Sequence, residues 1–196
     1  TNQIPLLPVQ KRDDDGQLIP KDIGLRVVAD CKVRVNRMTK DFAALEVDNL
    51  RQVLHQAAKA SKHKWKFKFD IGSAFFQVGL DKSAWGKMGV YHPTMGQMVY
   101  TRLPQGLMPS FGWCTQVFKK IYGRCSEFLF RYMDDAFCSA ETKNHFLVRL
   151  RKVLEICKQN GITLKGSKMR FFEFNMNFLG HQIANGLGDG TLVGFI

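Results

Sequence analysis

The apolar patterning of this chain predicts an α+β fold, with helices and antiparallel strands intermixed rather than strictly alternating. Three observations carry that prediction. The segment Lys64-Trp-Lys-Phe-Lys-Phe-Asp-Ile71 alternates without a break: Trp65, Phe67, Phe69 and Ile71 point one way, while Lys64, Lys66, Lys68 and Asp70 point the other. It reads as a strand with one buried face and one open, lysine-bearing face that ends at Asp70. Next, Phe128-Leu-Phe-Arg-Tyr-Met133 and Ala136-Phe-Cys-Ser139 flank the pair Asp134-Asp135. Two apolar arms around a tight polar pair predict a β-hairpin with both acids at its tip. Finally, three separate stretches carry a helical period.

In chain order, residues 10–22 are polar and turn-rich. Asp15-Gly16 is expected at the tip of a first hairpin whose second arm is Leu25-Arg-Val-Val-Ala-Asp30. A helix is expected from Asp48, its N-cap, with Leu50, Val53, Leu54, Ala57 and Ala58 on one face. A second starts at Pro109-Ser110, with Phe111, Cys114, Val117, Phe118, Ile121 and Tyr122 as its stripe. The third covers about Asn144–Asn160, burying Phe146, Leu147, Leu150, Val153, Leu154 and Cys157, and Gly161 stops it. Phe171-Phe-Glu-Phe and Phe178-Leu-Gly-His181 read as short closing strands.

The composition supplies a core, since 45% of the 196 residues are hydrophobic and 12% aromatic, which excludes global disorder. No run approaches the ~18 apolar residues of a membrane span, and no secretory leader is visible. The five cysteines (Cys31, Cys114, Cys125, Cys138 and Cys157) contain no Cys-x-x-Cys pair. Buried free thiols in a reducing compartment are therefore expected rather than a disulfide framework. With 29 Lys+Arg against 17 Asp+Glu the net charge is +12, which points to a polyanionic partner, nucleic acid first. The chain opens at Thr1 and stops at Phe195-Ile196, and a piece of a longer polypeptide is expected.

Chemistry is concentrated in three carboxylates at structured turning points: Asp70 at a strand end, and Asp134 with Asp135 at a hairpin tip. Acids crowded into one cleft repel one another, and hard divalent cations relieve that repulsion. Two such ions, about 3.5–4 Å apart, activate an attacking hydroxyl and stabilise a leaving phosphate. Each acid also has an ordinary alternative. Asp134-Asp135 would be a common turn pair, and Asp70 a solvated counter-charge to its lysine neighbours. Together, on a chain of charge +12, they favour phosphoryl chemistry on nucleic acid. The row Lys59, Lys62, Lys64, Lys66 and Lys68 is either a phosphate track or a solvated face, the latter favoured before Lys66.

At these residues a family resemblance appears. Tyr132-Met133-Asp134-Asp135 resembles the YMDD signature of reverse transcriptases of retroviruses and LTR retrotransposons, and the family's other blocks follow in order. Phe69-Asp-Ile-Gly-Ser-Ala-Phe-Phe-Gln-Val78 resembles the first aspartate motif, and Leu103-Pro-Gln-Gly-Leu-Met-Pro-Ser110 the LPQG block. Gly161-Ile-Thr-Leu-Lys-Gly-Ser-Lys168 resembles the lysine-bearing motif, and Phe178-Leu-Gly-His181 the primer grip. Leu25-Arg-Val-Val-Ala-Asp30 with Asn36 looks like the fingers strand.

The resemblance implies a right-hand polymerase: 1–66 mainly fingers, 67–80 palm with the first aspartate strand, 81–105 a return to the fingers, and 106–196 palm to the primer grip, with the thumb absent. It implies a two-metal mechanism with Mg²⁺, for which Mn²⁺ substitutes. Asp70 and Asp134 would hold the metals, the Ile71 carbonyl would assist, and Asp135 would be the third acid. Lys11, Arg26, Ala74, Phe75, Gln105 and Lys168 would contact the nucleotide. Among them Lys11 and Arg26 would clamp the triphosphate, Phe75 would exclude a 2′-hydroxyl, and Gln105 would lie near the 3′-hydroxyl. Tyr132, Met133, Leu179 and Gly180 would contact primer and template.

The implied partners are an RNA or DNA template with its primer, dNTPs, and downstream thumb and RNase H regions of a parent polyprotein. The implied location is intracellular: cytoplasm, virus-like particle or nucleus. Three departures stand out. Ser73 replaces a charged residue, Lys32-Val-Arg-Val-Asn36 is one residue longer than the family spacing, and Gly186-Leu-Gly-Asp-Gly190 stands where thumb helices would begin. The competing readings are a non-catalytic nucleic-acid-binding relative and an RNA-templated RNA polymerase. Intact acids argue against the first and Phe75 against the second.

Overall fold

The computed structural model describes residues 3–13, 16–32, 35–38, 48–172, 175–184 and 193–195. In chain order the elements are β1 (Leu6–Gln10), α1 (Lys21–Gly24), β2 (Leu25–Ala29), α2 (Val35–Met38), α3 (Leu50–Lys59), β3 (Trp65–Asp70), α4 (Ala74–Gln77), α5 (Lys82–Trp85), β4 (Gly89–His92) and β5 (Gly96–Val99). There follow α6 (Ser110–Tyr122), β6 (Leu129–Tyr132), β7 (Asp135–Ala140), α7 (Lys143–Gln159), β8 (Arg170–Phe171), β9 (Asn175–Phe178), β10 (His181–Ala184) and β11 (Val193–Phe195). They form two compact units, Thr1–Leu45 with Phe75–Trp113, and Glu46–Ala74 with Cys114–Ile196. The mixture of helices and antiparallel sheets is the α+β class that the patterning predicts.

The first unit is built from two antiparallel hairpins, β1–β2 and β4–β5. A parallel bridge from Ile4 to Val90 joins them, and the core gathers Ile4, Ala29, Cys31, Met88, Val90 and Leu107. The β1–β2 hairpin forms as expected, and its tip carries Gly16 at φ +78°; Asp15 lies outside the described residues. Leu7, Val9, Leu25 and Val27 along its arms are exposed. The loop Leu103–Ser110 is pinned three ways. Asn36 donates to the Gly106 carbonyl (3.1 Å) and accepts from the Met108 amide (2.8 Å). Ser110 Oγ donates to the Pro104 carbonyl (2.9 Å). Gly106, at φ +99°, lies so close to β2 that a Cβ there would sit 2.1 Å from the Ala29 carbonyl oxygen. Only glycine fits.

The second unit is a four-stranded antiparallel sheet in the order β6-β7-β3-β8, covered on both faces. On one face Phe67 meets Phe146 of α7 edge-on (5.5 Å) and Phe69 meets Tyr122 of α6 (6.3 Å). On the other, Phe137 packs with Val53, Leu54 and Ala57 of α3 and with Met176, Phe178 and Ile183 of the β9–β10 hairpin. This second layer corrects the expectation of an open lysine-bearing face. Lys66 is fully buried and Asp70 is 8% exposed, so the face is covered at both positions. Burial lowers the Lys66 ammonium pKa from 10.5 to about 8. The row is therefore not a continuous track: Lys59, Lys62 and Lys64 are exposed, Lys66 is enclosed and Lys68 is half-buried.

Other details also depart from expectation. The N-cap of α3 is Asn49, not Asp48: its side chain accepts from the Arg51 and Gln52 amides (3.0 and 3.3 Å). Asp48 instead pairs with Arg131. The β6–β7 tip is Met133-Asp134, with Asp135 already in β7 opposite Tyr132. Met133 takes φ +57°, the sign that a two-residue hairpin turn with the right strand twist requires. Phe178-Leu-Gly-His181 is the turn between β9 and β10 rather than a strand, with Leu179 and Gly180 at φ +52° and +74°. On α7 the buried residues are Phe146, Val153 and Cys157, while Leu147 and Leu154 are exposed. Phe174 and the segment 186–190 lie outside the described residues.

Candidate active site

The three acids converge because of strand register. β3 and β7 pair with Asp70 directly opposite Asp135, which puts their Cβ atoms about 4.5–5.5 Å apart on one face. Asp134 precedes Asp135 in the turn, and its carbonyl accepts the Ile71 amide (2.8 Å). Beyond Asp70, an antiparallel bridge joins Ile71 to Leu164. It is made by the Lys165 amide on the Asp70 carbonyl (2.9 Å) and the Gly72 amide on the Thr163 carbonyl (3.0 Å). The Ile71 carbonyl is not spent on that bridge. Ser73 then turns the chain at φ +48°.

Two lysines meet these acids. Lys168 Nζ stands 3.3 Å from Asp70 Oδ2, and Lys68 Nζ stands 3.5 Å from Asp135 Oδ1 while donating to the Asn177 carbonyl (2.9 Å). Burial raises the Asp134 carboxyl pKa; a hydrogen bond from its own backbone amide opposes the rise, the charges of Asp70 and Asp135 add to it, and Lys168 opposes it least. Burial likewise raises that of Asp135, opposed by Lys68 and reinforced by Asp70. Such a cluster favours either protons or added cations. Its donors are all oxygen, the set suited to Mg²⁺ or Mn²⁺. Among the described residues no three His, Cys, Asp or Glu side chains form a ready metal cage. Mg²⁺ needs none, because it uses one or two carboxylates and completes its shell with water and substrate phosphate.

The turn is held from behind. Arg131, which the apolar arm Phe128–Met133 presented only as a strand residue, is buried and donates to the Met133 carbonyl (3.0 Å). A charge within an otherwise apolar strand was the available signal. Leu179 and Gly180 form the β9–β10 turn, beside the cluster that includes Tyr132.

The other expected residues lie in the first unit. Val9 pairs with Arg26, and Lys11 follows two residues after Val9, so Lys11 and Arg26 share one hairpin face. Arg12 donates to Gly16 in its own turn (2.6 Å). Phe76 stacks on Tyr100 (6.3 Å, 5°), whereas Phe75 is half-buried and Gln105 sits on the pinned loop. Asp70, Ile71, Ala74, Tyr132, Met133, Asp134, Asp135, Lys168, Leu179 and Gly180 all belong to the second unit.

A Ser–His–acid line also occurs: His63 Nδ1 is 3.0 Å from Ser139 Oγ, and its Nε2 is 3.4 Å from Glu141. Ser139 is 2% exposed, so a substrate does not reach that hydroxyl and hydrolase chemistry is excluded there.

Comparison with known proteins identifies a family and a fold. A family model described as reverse transcriptase (RNA-dependent DNA polymerase) matches residues 19–183. Polyprotein P3 of Commelina yellow mottle virus is 27% identical over 132 residues, 64% of this chain and 7% of that protein. The retrovirus-related Pol polyprotein from transposon 412 of Drosophila melanogaster is 27% identical over 180 residues, 91% of this chain and 14% of that one. The chain thus spans a small part of each polyprotein. Among solved structures, a foamy viral protease-reverse transcriptase in complex with double-stranded DNA is similar with a TM-score of 0.76 at 25% identity, covering 93% of this chain and 29% of that one.

Proposed function

The chain belongs to the reverse transcriptase (RNA-dependent DNA polymerase) family, and from that membership we propose that it is the polymerase portion of a retroelement polyprotein, adding dNTPs to a primer 3′-hydroxyl on RNA or DNA templates. The first unit is read as fingers and the second as palm. The observation that carries the reading is the register that sets Asp70 against Asp135, with Asp134 on the adjoining turn. Asp70, Asp134 and the Ile71 carbonyl would hold two Mg²⁺ ions, which Mn²⁺ can replace, with Asp135 as the third acid. Bound there, the ions supply activation of the primer hydroxyl and charge neutralisation on the triphosphate.

The protein's own groups do the positioning. Lys168 pairs with Asp70 and Lys68 with Asp135, which orients both carboxylates, and Lys168, half-exposed, is suited to meet the triphosphate. Lys11 and Arg26 would clamp its phosphates, Ala74 and Gln105 would border the nucleotide, and Phe75 would stand against a 2′-hydroxyl. Tyr132, Met133, Leu179 and Gly180 would support the primer terminus and its template. Thumb and RNase H regions are expected in the parent chain. Among the described residues no helix is long and apolar enough to cross a membrane, and an intracellular site of action is part of the proposal.

Primer extension with dNTPs on an RNA template, in Mg²⁺ and then Mn²⁺, tests the reading. Wild type should extend and Asp134→Asn should not, with template affinity kept within about threefold, because that carboxylate serves metal more than binding. Template binding without extension, persisting when thumb sequence is supplied, would establish a non-catalytic binding module instead.

A further inference from the structure

We propose that Arg131 is a positioning residue that fixes the direction of the Asp134 carboxylate by locking the turn that carries it; the inference rests on the polymerase reading above. Asp134 lies between two peptide groups, and each has its carbonyl held. The Met133 carbonyl accepts from Arg131 Nη1 at 3.0 Å. The Asp134 carbonyl accepts from the Ile71 amide at 2.8 Å. With both flanking peptide planes pinned, φ and ψ of Asp134 are determined, and with them the direction of its Cα–Cβ bond.

The guanidinium is itself immobilised. Its Nη2 lies 3.7 Å from Asp48 Oδ2 and 3.5 Å from the Thr115 carbonyl, a distance at the long limit of a hydrogen bond. Its carbon sits 5.8 Å from the Phe118 ring centroid, within cation–π range. Thr115 Oγ1 adds a second contact to the turn through the Met133 sulfur (3.8 Å).

Stability alone does not account for this arrangement. A buried ion pair is often matched or bettered by an apolar residue of similar volume, and the β6–β7 hairpin already has its ladder. What an apolar side chain cannot supply is a donor aimed at the Met133 carbonyl. That donor has value because Met133 is held at φ +57°, where a residue with a Cβ is disfavoured. The Asp48 contact also ties the turn to the residue before the α3 N-cap, so a change at Asp48 is expected to reach the acid without touching it.

The test uses Arg131→Leu, Arg131→Lys and Asp48→Asn, with two readouts. One is single-nucleotide incorporation, separating the rate constant from nucleotide and primer–template affinity. The other is the Met133 methyl resonance in protein labelled with [methyl-¹³C]methionine, assigned by Met133→Leu. A misplacement of about 1 Å costs roughly a hundredfold. Arg131→Leu is therefore expected to lose about 30- to 100-fold in rate constant with both affinities within about threefold, and to move the methyl resonance. Arg131→Lys, which keeps one donor, should recover part of both effects, and Asp48→Asn should show smaller changes of the same kind. If Arg131→Leu does not fold, the other two variants decide. Folded variants that keep the wild-type resonance and rate would overturn the proposal. Should wild type itself incorporate nothing, the polymerase reading fails separately, and the resonance alone decides whether Arg131 holds the turn.

Discussion

Burial does opposite things to two side-chain types in the second unit, and both are measurable. Asp134 and Asp135 have carboxyl pKa values raised above the ordinary 3.8. A raised carboxyl pKa means the folded state holds its proton more tightly. The resulting stability is present below the unfolded pKa and is lost as pH rises through the folded one. Asp134→Asn should therefore raise the melting temperature at neutral pH, and the gain should vanish below about pH 4. A melting series from pH 3 to 8 checks this, and added Mg²⁺ should stabilise wild type more than the variant. Lys66 is the mirror case, its ammonium pKa lowered from 10.5 to about 8 by burial. The unfolded chain then binds more protons between those values, so stability rises with pH across that window. Lys66→Met is expected to stabilise by about 1–3 kcal/mol at pH 7 and by much less near pH 10.5. Denaturant melts at the two pH values decide it. Neither shift was readable from the strand pattern, because alternation marks which residues share a face but not what covers it.

Turns and caps show why elements were easier to foresee than their ends. Apolar period located α6 and α7 and the three strands β3, β6 and β7 about the acids, because a face must be buried somewhere, but it did not find β9 and β10. The ends depend on which single side chain reaches a free amide or tolerates a left-handed backbone. Asn49 caps α3 because it stands immediately before Leu50, and this left Asp48 to Arg131. Glycines at positive φ divide the same way. Gly161, after α7 at φ +64°, has open space around its missing Cβ, whereas Gly106 faces the Ala29 carbonyl at 2.1 Å. Gly161→Ala is expected to cost about 1 kcal/mol, the left-handed penalty alone. Gly106→Ala should cost about 3 kcal/mol or more, since the loop must also leave β2. Denaturation of the two variants side by side measures the difference, and equal losses would contradict the close approach at Gly106.

Across the whole molecule, the cysteines report on the integrity of the fold. All five are buried and free, and burial raises the thiol pKa of Cys31 and Cys114 to about 11. Reactive thiolate is therefore scarce at neutral pH. In the native protein a thiol reagent should label these five over hours or longer, and in denaturant within minutes. Rapid labelling of one thiol under native conditions would locate a unit that opens.

The sequence by itself determined the fold class, the family and the burial of the thiols, and it singled out the three acids as the candidate site. Each is written in local pattern: a period of two or of 3.6, an acid pair between apolar arms, an ordered set of short blocks. Tertiary structure alone decided that the lysine face is roofed by α3 and the β9–β10 hairpin, that the tip is Met133-Asp134, and that Asp70 faces Asp135. It also decided that Arg131 reaches the turn. These are matters of register and of long-range contact between segments far apart in sequence, where the free energy depends on which partner arrives and not on the segment's own pattern.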